Sequence, residues 1–143
     1  MDNRFETITL FSEEFEKLKD KETVRIFGKN YELQGFLEKF DSYLVIFNKN
    51  RHFEGFCSAN KFGSFEKFNS QGAFNGFVSC DKSLIKYGKS GEYQGYYSDD
   101  NGCLNEFDCR GAYLGYFKKD SNGFVRKYDS MGKLELSFEK EVS

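Results

Sequence analysis

A sequence motif of about seven residues is repeated six times along this chain, at intervals of about twenty residues. The clearest copies span residues 87–93, 107–113 and 128–134, a fourth spans residues 68–74, and two degenerate copies open at residues 27 and 47. The opening aromatic residues are 20, 21, 19, 20 and 21 positions apart. A period this regular is typical of architectures that stack one supersecondary unit on the next. The repeat therefore constrains the fold more strongly than the function.

Each unit contains two strands and two turns. In the unit at residues 107–128, a turn at 108–111 precedes a strand at 112–118. A second turn at 120–123, in which Asn and Gly supply positive φ angles, precedes a return strand at 124–128. This spacing is too short for a crossover helix and predicts an antiparallel meander. We therefore expect an all-β fold of ten to twelve short strands in a single curled or barrel-like sheet, whose closure the sequence leaves open.

The chain is expected to form one domain, because 143 residues are enough for a single sizeable core. Residues 1–26 form an N-terminal helix and lead-in, and residues 27–138 form a repeat region of five to six units. Aromatic residues make up 19% of the chain, and 18 of them are Phe. Burial is thus expected to depend on rings more than on aliphatic side chains.

The N-terminal segment predicts a short helix over residues 12–20, with Ser12 as its N-cap, acidic residues in its first turn and lysines in its last. Phe11, Phe15 and Leu18 share one helical face, and the sheet is the surface on which that face can pack. The helix could cover one end of the sheet. Residues 23–27 are expected to form the first strand.

Composition and charge argue against several classes of function. The net charge is −2 and no Lys/Arg cluster is present, which disfavours nucleic-acid binding. The N-terminus lacks the pattern of a signal peptide, and no apolar run approaches the ~20 residues of a membrane helix. The longest apolar run, residues 43–47, predicts a buried strand. We therefore expect a cytoplasmic protein that binds neither membrane nor nucleic acid.

No catalytic or metal-binding constellation is recognisable. The cysteines at positions 57, 80, 103 and 109 form no C-x-x-C pair, and they are interpreted as reduced, mostly buried thiols. His52 is the single histidine and lacks a partner at a recognisable spacing. The paired carboxylates at 13–14 and 99–100 are expected in a solvated helix start and a turn, and no phosphate-binding glycine loop is present. We predict no enzyme activity, cofactor or metal.

The first strand of each unit contains an interior glycine that separates two kinds of position. The predicted core face carries a ring before the glycine and a further side chain two positions after it: Phe53, Phe74, Tyr93 and Tyr113, then Cys57, Val78, Tyr97 and Phe117. The glycines at 35, 55, 76, 95 and 115 have two explanations: either a neighbouring ring lies over the bare backbone, or the strand bends there.

The opposite face carries one ring per unit, directly after each glycine. We call this set the aromatic ladder, and it is the candidate partner-binding site: Phe36, Phe56, Phe77, Tyr96 and Tyr116. The ladder is either a second core face, covered by the helix or by the curling sheet, or an exposed apolar stripe of the kind that marks a protein interface. The change from Phe to Tyr favours its C-terminal end as the contact region.

Residues 128–134 (YDSMGKL), preceded by residues 120–123 (DSNG), resemble the YD (RHS-type) repeats of bacterial polymorphic-toxin proteins. They are also similar to the MORN-variant repeats of some bacterial antitoxin and immunity proteins. The second resemblance implies a non-enzymatic, partner-binding bacterial protein, such as an immunity or inhibitor protein that occludes a toxin or enzyme. Two alternatives stay open: a module that binds a glycan or small ligand through the ladder, and an assembly component of a phage or secretion apparatus. The oligomeric state is not predicted.

Overall fold

The computed structural model describes residues 3–19, 22–59, 64–80, 83–120 and 124–141. Two short helices, α1 (Asn3–Leu10) and α2 (Ser12–Glu16), precede the strands. The strands of the described part of the chain are β1 (Val24–Phe27), β2 (Leu33–Phe40), β3 (Tyr43–Asn48), β4 (Phe53–Ala59), β5 (Ser64–Asn69), β6 (Phe74–Ser79), β7 (Leu84–Tyr87), β8 (Tyr93–Asp100), β9 (Cys103–Asp108), β10 (Tyr113–Lys119), β11 (Val125–Asp129) and β12 (Leu134–Lys140).

The strands form one antiparallel sheet that closes into a barrel. Each strand pairs with the next along the chain, and β12 returns to pair with β1. The closing register runs from Val24 opposite Lys140 to Phe27 opposite Ser137. Closure pairs the two strands that would otherwise be open edges. The all-β meander with an N-terminal helix, predicted from the repeat, is confirmed, and the question of closure is resolved.

The repeat turns are held by a side-chain acceptor at their first residue. In the predicted turn at residues 108–111, the Asp108 carboxylate accepts hydrogen bonds from the amides of Arg110 and Ala112, at 2.8 and 2.9 Å. These bonds hold the pKa of the Asp108 carboxyl below its usual value. Asn48, Asn69 and Asp129 accept the same pair of amides in their own turns.

The two turns that begin with glycine use a different acceptor. Gly28 and Gly88 have no side chain, and the carboxylates of Glu32 and Glu92 occupy the place where a Cβ would stand. Glu32 accepts a hydrogen bond from the amide of Asn30 at 2.9 Å, and Glu92 accepts one from Ser90. A glutamate four positions after the glycine thus preserves the geometry of the turn.

The second turns of the units are seen in part. β8 continues through Asp100, so the turn is the pair Asn101 and Gly102, with φ angles of 52° and 86°. This Asn-Gly pair forms a two-residue hairpin loop, so Asp99 and Asp100, which were predicted in a turn, lie instead at the end of β8. The turn predicted at 120–123 includes residues 121–123, which lie outside the described residues.

A β-bulge before each interior glycine makes part of the predicted core face wrong. Between Phe107 and Glu106 the opposite strand advances by two residues, from Tyr113 to Gly115. The extra residue reverses the alternation of side chains, so the ring before the glycine points outward. The four rings are accordingly 37–46% exposed: Phe53, Phe74, Tyr93 and Tyr113. The residues after the glycine remain inside as predicted: Cys57, Val78, Tyr97 and Phe117.

The bulges also explain the interior glycines by a bend in the strand, and at Gly55 a covering ring, that of Phe5, is present as well. Gly55, Gly76, Gly95 and Gly115 have φ angles between 117° and 147°. A Cβ at any of them would collide with a carbonyl oxygen of the neighbouring strand. Glycine is therefore required there by backbone geometry.

Helix α1 lies inside the barrel and was not predicted. Its residues from Phe5 to Thr9 are all buried, and it contacts β4, β5, β6 and β11, on different sides of the wall. The ring of Phe5 lies against the bare backbone at Gly55. The sequence pattern did not predict this helix, because a segment that is enclosed on every side and contains polar residues among the apolar ones has no single apolar stripe.

Helix α2 lies over one end of the barrel, where its predicted apolar face packs on the strands. Phe15 contacts Phe138 with 5.6 Å between ring centroids, and Phe11 lies 6.4 Å from Phe117. The predicted bounds were too long, because α2 ends at Glu16, and Asp20 lies outside the described residues. The proposed Ser12 cap is wrong: Ser12 is the first helical residue, and Phe11 occupies the N-cap position without a side-chain hydrogen bond.

All four cysteines are free thiols, as expected. Cys57 is buried, whereas Cys80 and Cys103 are partly buried and Cys109 is exposed. Burial raises the pKa of the Cys80 thiol. The expectation that the thiols are mostly buried therefore fails at Cys109, which lies in a repeat turn.

Candidate binding surface on the outer wall

The aromatic ladder lies on the outer face of the barrel, where it stacks against the rings that open the next units. Four ladder rings each face an opening ring directly across the strand pair: Phe56–Phe68, Phe77–Tyr87, Tyr96–Phe107 and Tyr116–Tyr128. Their centroids are 4.6, 4.7, 4.8 and 4.8 Å apart, with interplanar angles from 13° to 19°. The helices lie inside the barrel and over its end, so they do not cover this face.

The rings displaced by the bulges extend these pairs into a belt around the wall. Phe53, Phe74, Tyr93 and Tyr113 each contact an opening ring from its other side, at centroid distances of 5.7–6.5 Å. Further contacts join Phe53 to Phe56 and Phe74 to Phe77. We call this set the aromatic belt: Phe36, Phe47, Phe53, Phe56, Phe68, Phe74, Phe77, Tyr87, Tyr93, Tyr96, Phe107, Tyr113, Tyr116 and Tyr128.

Exposure varies along the ladder. Phe36 is only 7% exposed, because the guanidinium of Arg51 lies 4.2 Å from its ring centroid. Phe56, Phe77 and Tyr116 are half-buried by their stacking partners, and Tyr96 is 37% exposed. The ladder is therefore neither a second core nor a free stripe, because its rings cover one another in part.

On β2, β3 and β4, three rings of the belt join further apolar side chains in one outward-facing patch. We call it the β2–β4 patch, and its members are Phe40, Tyr43, Val45, Phe47, Phe53 and Phe56. Phe40 and Tyr43 stand at the tip of one hairpin and are 51% and 44% exposed. With Val45 and Phe56 they line a shallow hollow of about 200 Å³. The patch arises because outward positions beyond the belt are also apolar in this part of the sequence.

The outer wall becomes polar towards the closure of the barrel. Arg126 pairs with Asp120 at 2.7 Å, and Tyr31 and Ser137 both donate hydrogen bonds to Glu139 at 2.7 Å. The belt thus meets a polar seam on β11, β12 and β1. The structure separates two parts of the belt: an apolar patch near the N-terminal units and hydroxyl-bearing rings near the C-terminal units.

Sequence reasoning missed a group of charged residues on the inner wall. The residue before each opening aromatic faces the lumen, and in four units it is charged: Lys67, Lys86, Glu106 and Lys127. The sequence could have predicted these inward-facing charges, because the opening ring faces outward and the residue beside it on the strand must face inward. Helix α1 adds Glu6, and among the described residues these five are the buried charged side chains.

The buried charges form a connected network. The Lys86 ammonium lies 3.2 Å from the Glu6 carboxylate and 2.9 Å from that of Glu106. Lys127 lies 3.7 Å from Glu106, and the Tyr97 hydroxyl donates a hydrogen bond to Glu6 at 2.9 Å. Burial raises the pKa of the Tyr97 phenol, and the two carboxylates raise it further. Burial alone would lower the pKa of the Lys86 ammonium, but Glu6 and Glu106 outweigh it and hold that pKa above its usual value.

The remaining sequence candidates do not assemble into a site. His52 is exposed, and its amide donates to Asn48 as part of a repeat turn. Over the described ranges, no group of three or more His, Cys, Asp or Glu side chains is arranged to hold a metal ion. Neither helix in the described part of the chain is long and apolar enough to cross a membrane.

Comparison with known proteins adds no family. No protein-family model matches the chain, and no curated protein sequence is significantly similar to it. The resemblance to YD and MORN-variant repeats therefore stays a prediction from the motif.

Proposed function

We propose that this chain is a non-enzymatic, cytoplasmic protein-binding module whose outer wall docks on another protein. The observation that carries the proposal is the β2–β4 patch, where Phe40, Tyr43 and Phe53 are 51%, 44% and 43% exposed around a hollow without polar lining. Exposed apolar patches of this kind mark protein interfaces. Rigid aromatic side chains on a sheet also lose little entropy when they are covered.

The size of the hollow supports a protein partner over a small-molecule ligand. Its volume is about 200 Å³, whereas pockets for drug-sized ligands usually enclose about 300–1,000 Å³. A hollow of this size suits one apolar side chain, and interface anchors fill such sites.

The ring geometry also bears on the glycan alternative. A sugar ring stacks on an open aromatic face, but Phe56 has Phe68 against one face at 4.6 Å and Phe53 stacked at 6.3 Å. Stacking within the belt leaves mainly ring edges for contact at this point. This arrangement supports a broad apolar contact more than a row of sugar subsites.

The most concrete form of the proposal is an immunity or inhibitor protein that occludes a toxin or enzyme. It is supported by the repeat resemblance and by the mildly acidic net charge of −2. A compact barrel that presents a rigid apolar patch suits occlusion, because the binding surface needs no reorganisation.

The test is affinity capture of partners from the native cell with the purified chain as bait, followed by measurement of affinity for the recovered protein. We expect the double substitution Phe40→Ser/Tyr43→Ser to weaken binding at least 30-fold, since truncated interface anchors cost about 2 kcal/mol or more. Tyr93→Ser/Tyr113→Ser is the matched control, because these belt rings are similarly exposed, at 46% and 41%.

Two results would count against the proposal in different ways. Loss of binding only in the Tyr93/Tyr113 variant would move the contact to the C-terminal part of the belt. Capture of no specific protein, together with saturable binding of a glycan that the Tyr93/Tyr113 variant loses, would replace protein binding by ligand binding.

A further inference from the structure

The inner wall of the barrel carries an excess of positive charge when it is considered without the N-terminal helix. Three buried lysines, Lys67, Lys86 and Lys127, project from the wall, and among the described strand residues Glu106 is the buried carboxylate. The half-buried Glu135 reaches Lys127 at 4.0 Å from the rim. Burying a charge is strongly unfavourable unless the charge is paired, so a further anion stabilises this wall.

Helix α1 supplies that anion at a defined place. Glu6 is fully buried, and Lys86 and the Tyr97 hydroxyl contact its carboxylate at 3.2 and 2.9 Å. Glu6 comes from α1, far along the chain from the neighbouring strands β7 and β8 that supply Lys86 and Tyr97. Burial and the nearby Glu106 carboxylate raise the pKa of the Glu6 carboxyl, while Lys86, Lys67 and the hydrogen bond from Tyr97 oppose that rise. The wall therefore selects a carboxylate by charge and by a directed hydroxyl donor.

We propose that the lumen of the barrel is a carboxylate-binding site and that the N-terminal helix is its intramolecular ligand. Lys86 and Tyr97 are the recognition groups, and Glu106 holds Lys86 in position through its own contact at 2.9 Å. The site is on the inner wall, so it is independent of the protein-binding surface proposed for the outer wall. Removal of the Glu6 carboxylate alone should leave a vacant binding site that a small free carboxylate can occupy.

The test is rescue of Glu6→Ala by sodium formate, with sodium chloride at equal ionic strength as the reference. Formate has the carboxylate of Glu6 and is small enough for the space that the substitution opens. At ten times its dissociation constant, formate would increase the ratio of folded to unfolded chain about elevenfold. For a chain of this size, that corresponds to a rise in Tm of about 4 °C over chloride.

Two variants distinguish specific binding of formate at the carboxylate site from general salt effects. Glu14→Ala removes a carboxylate that pairs with Lys119 at 2.8 Å on the surface, and it should respond equally to formate and chloride. Glu6→Ala/Lys86→Met removes the recognition group and should lose the specific response to formate. The proposal is overturned if Glu6→Ala responds to formate no more than Glu14→Ala does, or if the Lys86→Met substitution leaves the response intact.

A Glu6→Ala chain that folds only in formate would support the site. If Glu6→Ala folds in neither salt, the test uses Glu6→Gln instead, which keeps the side-chain volume. In a double-mutant cycle, the carboxylate site predicts that Lys86→Met costs at least tenfold less in the folding equilibrium when Glu6 is already Gln. Additive effects of Glu6→Gln and Lys86→Met would refute recognition of Glu6 by Lys86.

Discussion

Substitution of Gly115 by alanine tests whether the bulges shape the barrel wall. Gly115 has φ +136°, and a Cβ there would collide with the carbonyl oxygen of Tyr128 and lie 2.9 Å from the carbonyl carbon of Asp129. Both atoms belong to the paired strand β11, so the added methyl group has to push two hydrogen-bonded strands apart. A residue forced into sparsely populated backbone space costs about 1–3 kcal/mol, and a lost ladder hydrogen bond adds about 1 kcal/mol. We expect Gly115→Ala to lower the free energy of unfolding by about 2–4 kcal/mol.

Gly111→Ala is the matched control, four residues away on the same chain segment. Gly111 is also left-handed, with φ +83°, but nothing lies within 4 Å of the Cβ that alanine would add. Other repeat turns hold Tyr31 and Arg51 at the equivalent position, with φ angles of 61° and 63°. The control therefore carries the cost of a left-handed L-residue, about 1 kcal/mol, without the collision between strands.

The measurement is equilibrium unfolding in urea, followed by far-ultraviolet circular dichroism for the wild type and both variants. A common m-value would show that the variants unfold from equally compact native states. The reasoning is refuted if Gly115→Ala and Gly111→Ala lose the same free energy, because the close approach of β11 would then have no energetic consequence.

Two further predictions concern the turns and the thiols. Asp108 has a lowered pKa, so its contribution to stability is present above its unfolded value of 3.8 and is lost as pH falls through the folded pKa. Asp108→Asn should keep the turn at neutral pH, as Asn does in two other units. In acid titrations followed by Tm, the variant should lose less stability than the wild type between pH 4 and the folded pKa of Asp108. An unchanged acid profile would contradict the assigned role of the carboxylate. In thiol labelling of the native protein, the exposed Cys109 should react first and the buried Cys57 only after unfolding. Cys109→Ser should abolish the fast phase, and its persistence would show that another thiol is accessible.

The period of the repeat predicted the strands, and the helical spacing of Phe11, Phe15 and Leu18 predicted the N-terminal helical face, because both depend on local patterns. The opening aromatic of each unit marks a strand, and the Asx and Gly residues after it mark a turn, so the meander was readable. Closure depends instead on the registry of β12 with β1, where Val24 meets Lys140 across most of the chain. No local pattern reports that pairing.

The ladder was correctly predicted as a distinct face, but the rings before the glycines were assigned to the wrong side. Strict alternation placed Phe53 in the core, whereas the bulge at Gly55 turns it outward. An interior glycine between two rings is the signal that could have suggested the bulge, since glycine in a strand often marks one. The burial of α1 could not be predicted from local patterns, because the partners of Glu6, which are Lys86 and Tyr97, lie far along the chain.

The aromatic belt has two roles that can be separated by the geometry of its rings. Stacked pairs such as Phe56 and Phe68, with centroids 4.6 Å apart, hold adjacent strands together, and each such pair contributes about 0.5–1.5 kcal/mol beyond its buried area. Phe40 and Tyr43 extend past the stacked row at a hairpin tip and remain about half exposed, at 51% and 44%. The stacked rings therefore contribute to the stability of the wall, while the protruding rings are available for a partner. It follows that a substitution at Phe68 should act chiefly on folding and one at Phe40 chiefly on binding, because the two rings differ in what already covers them.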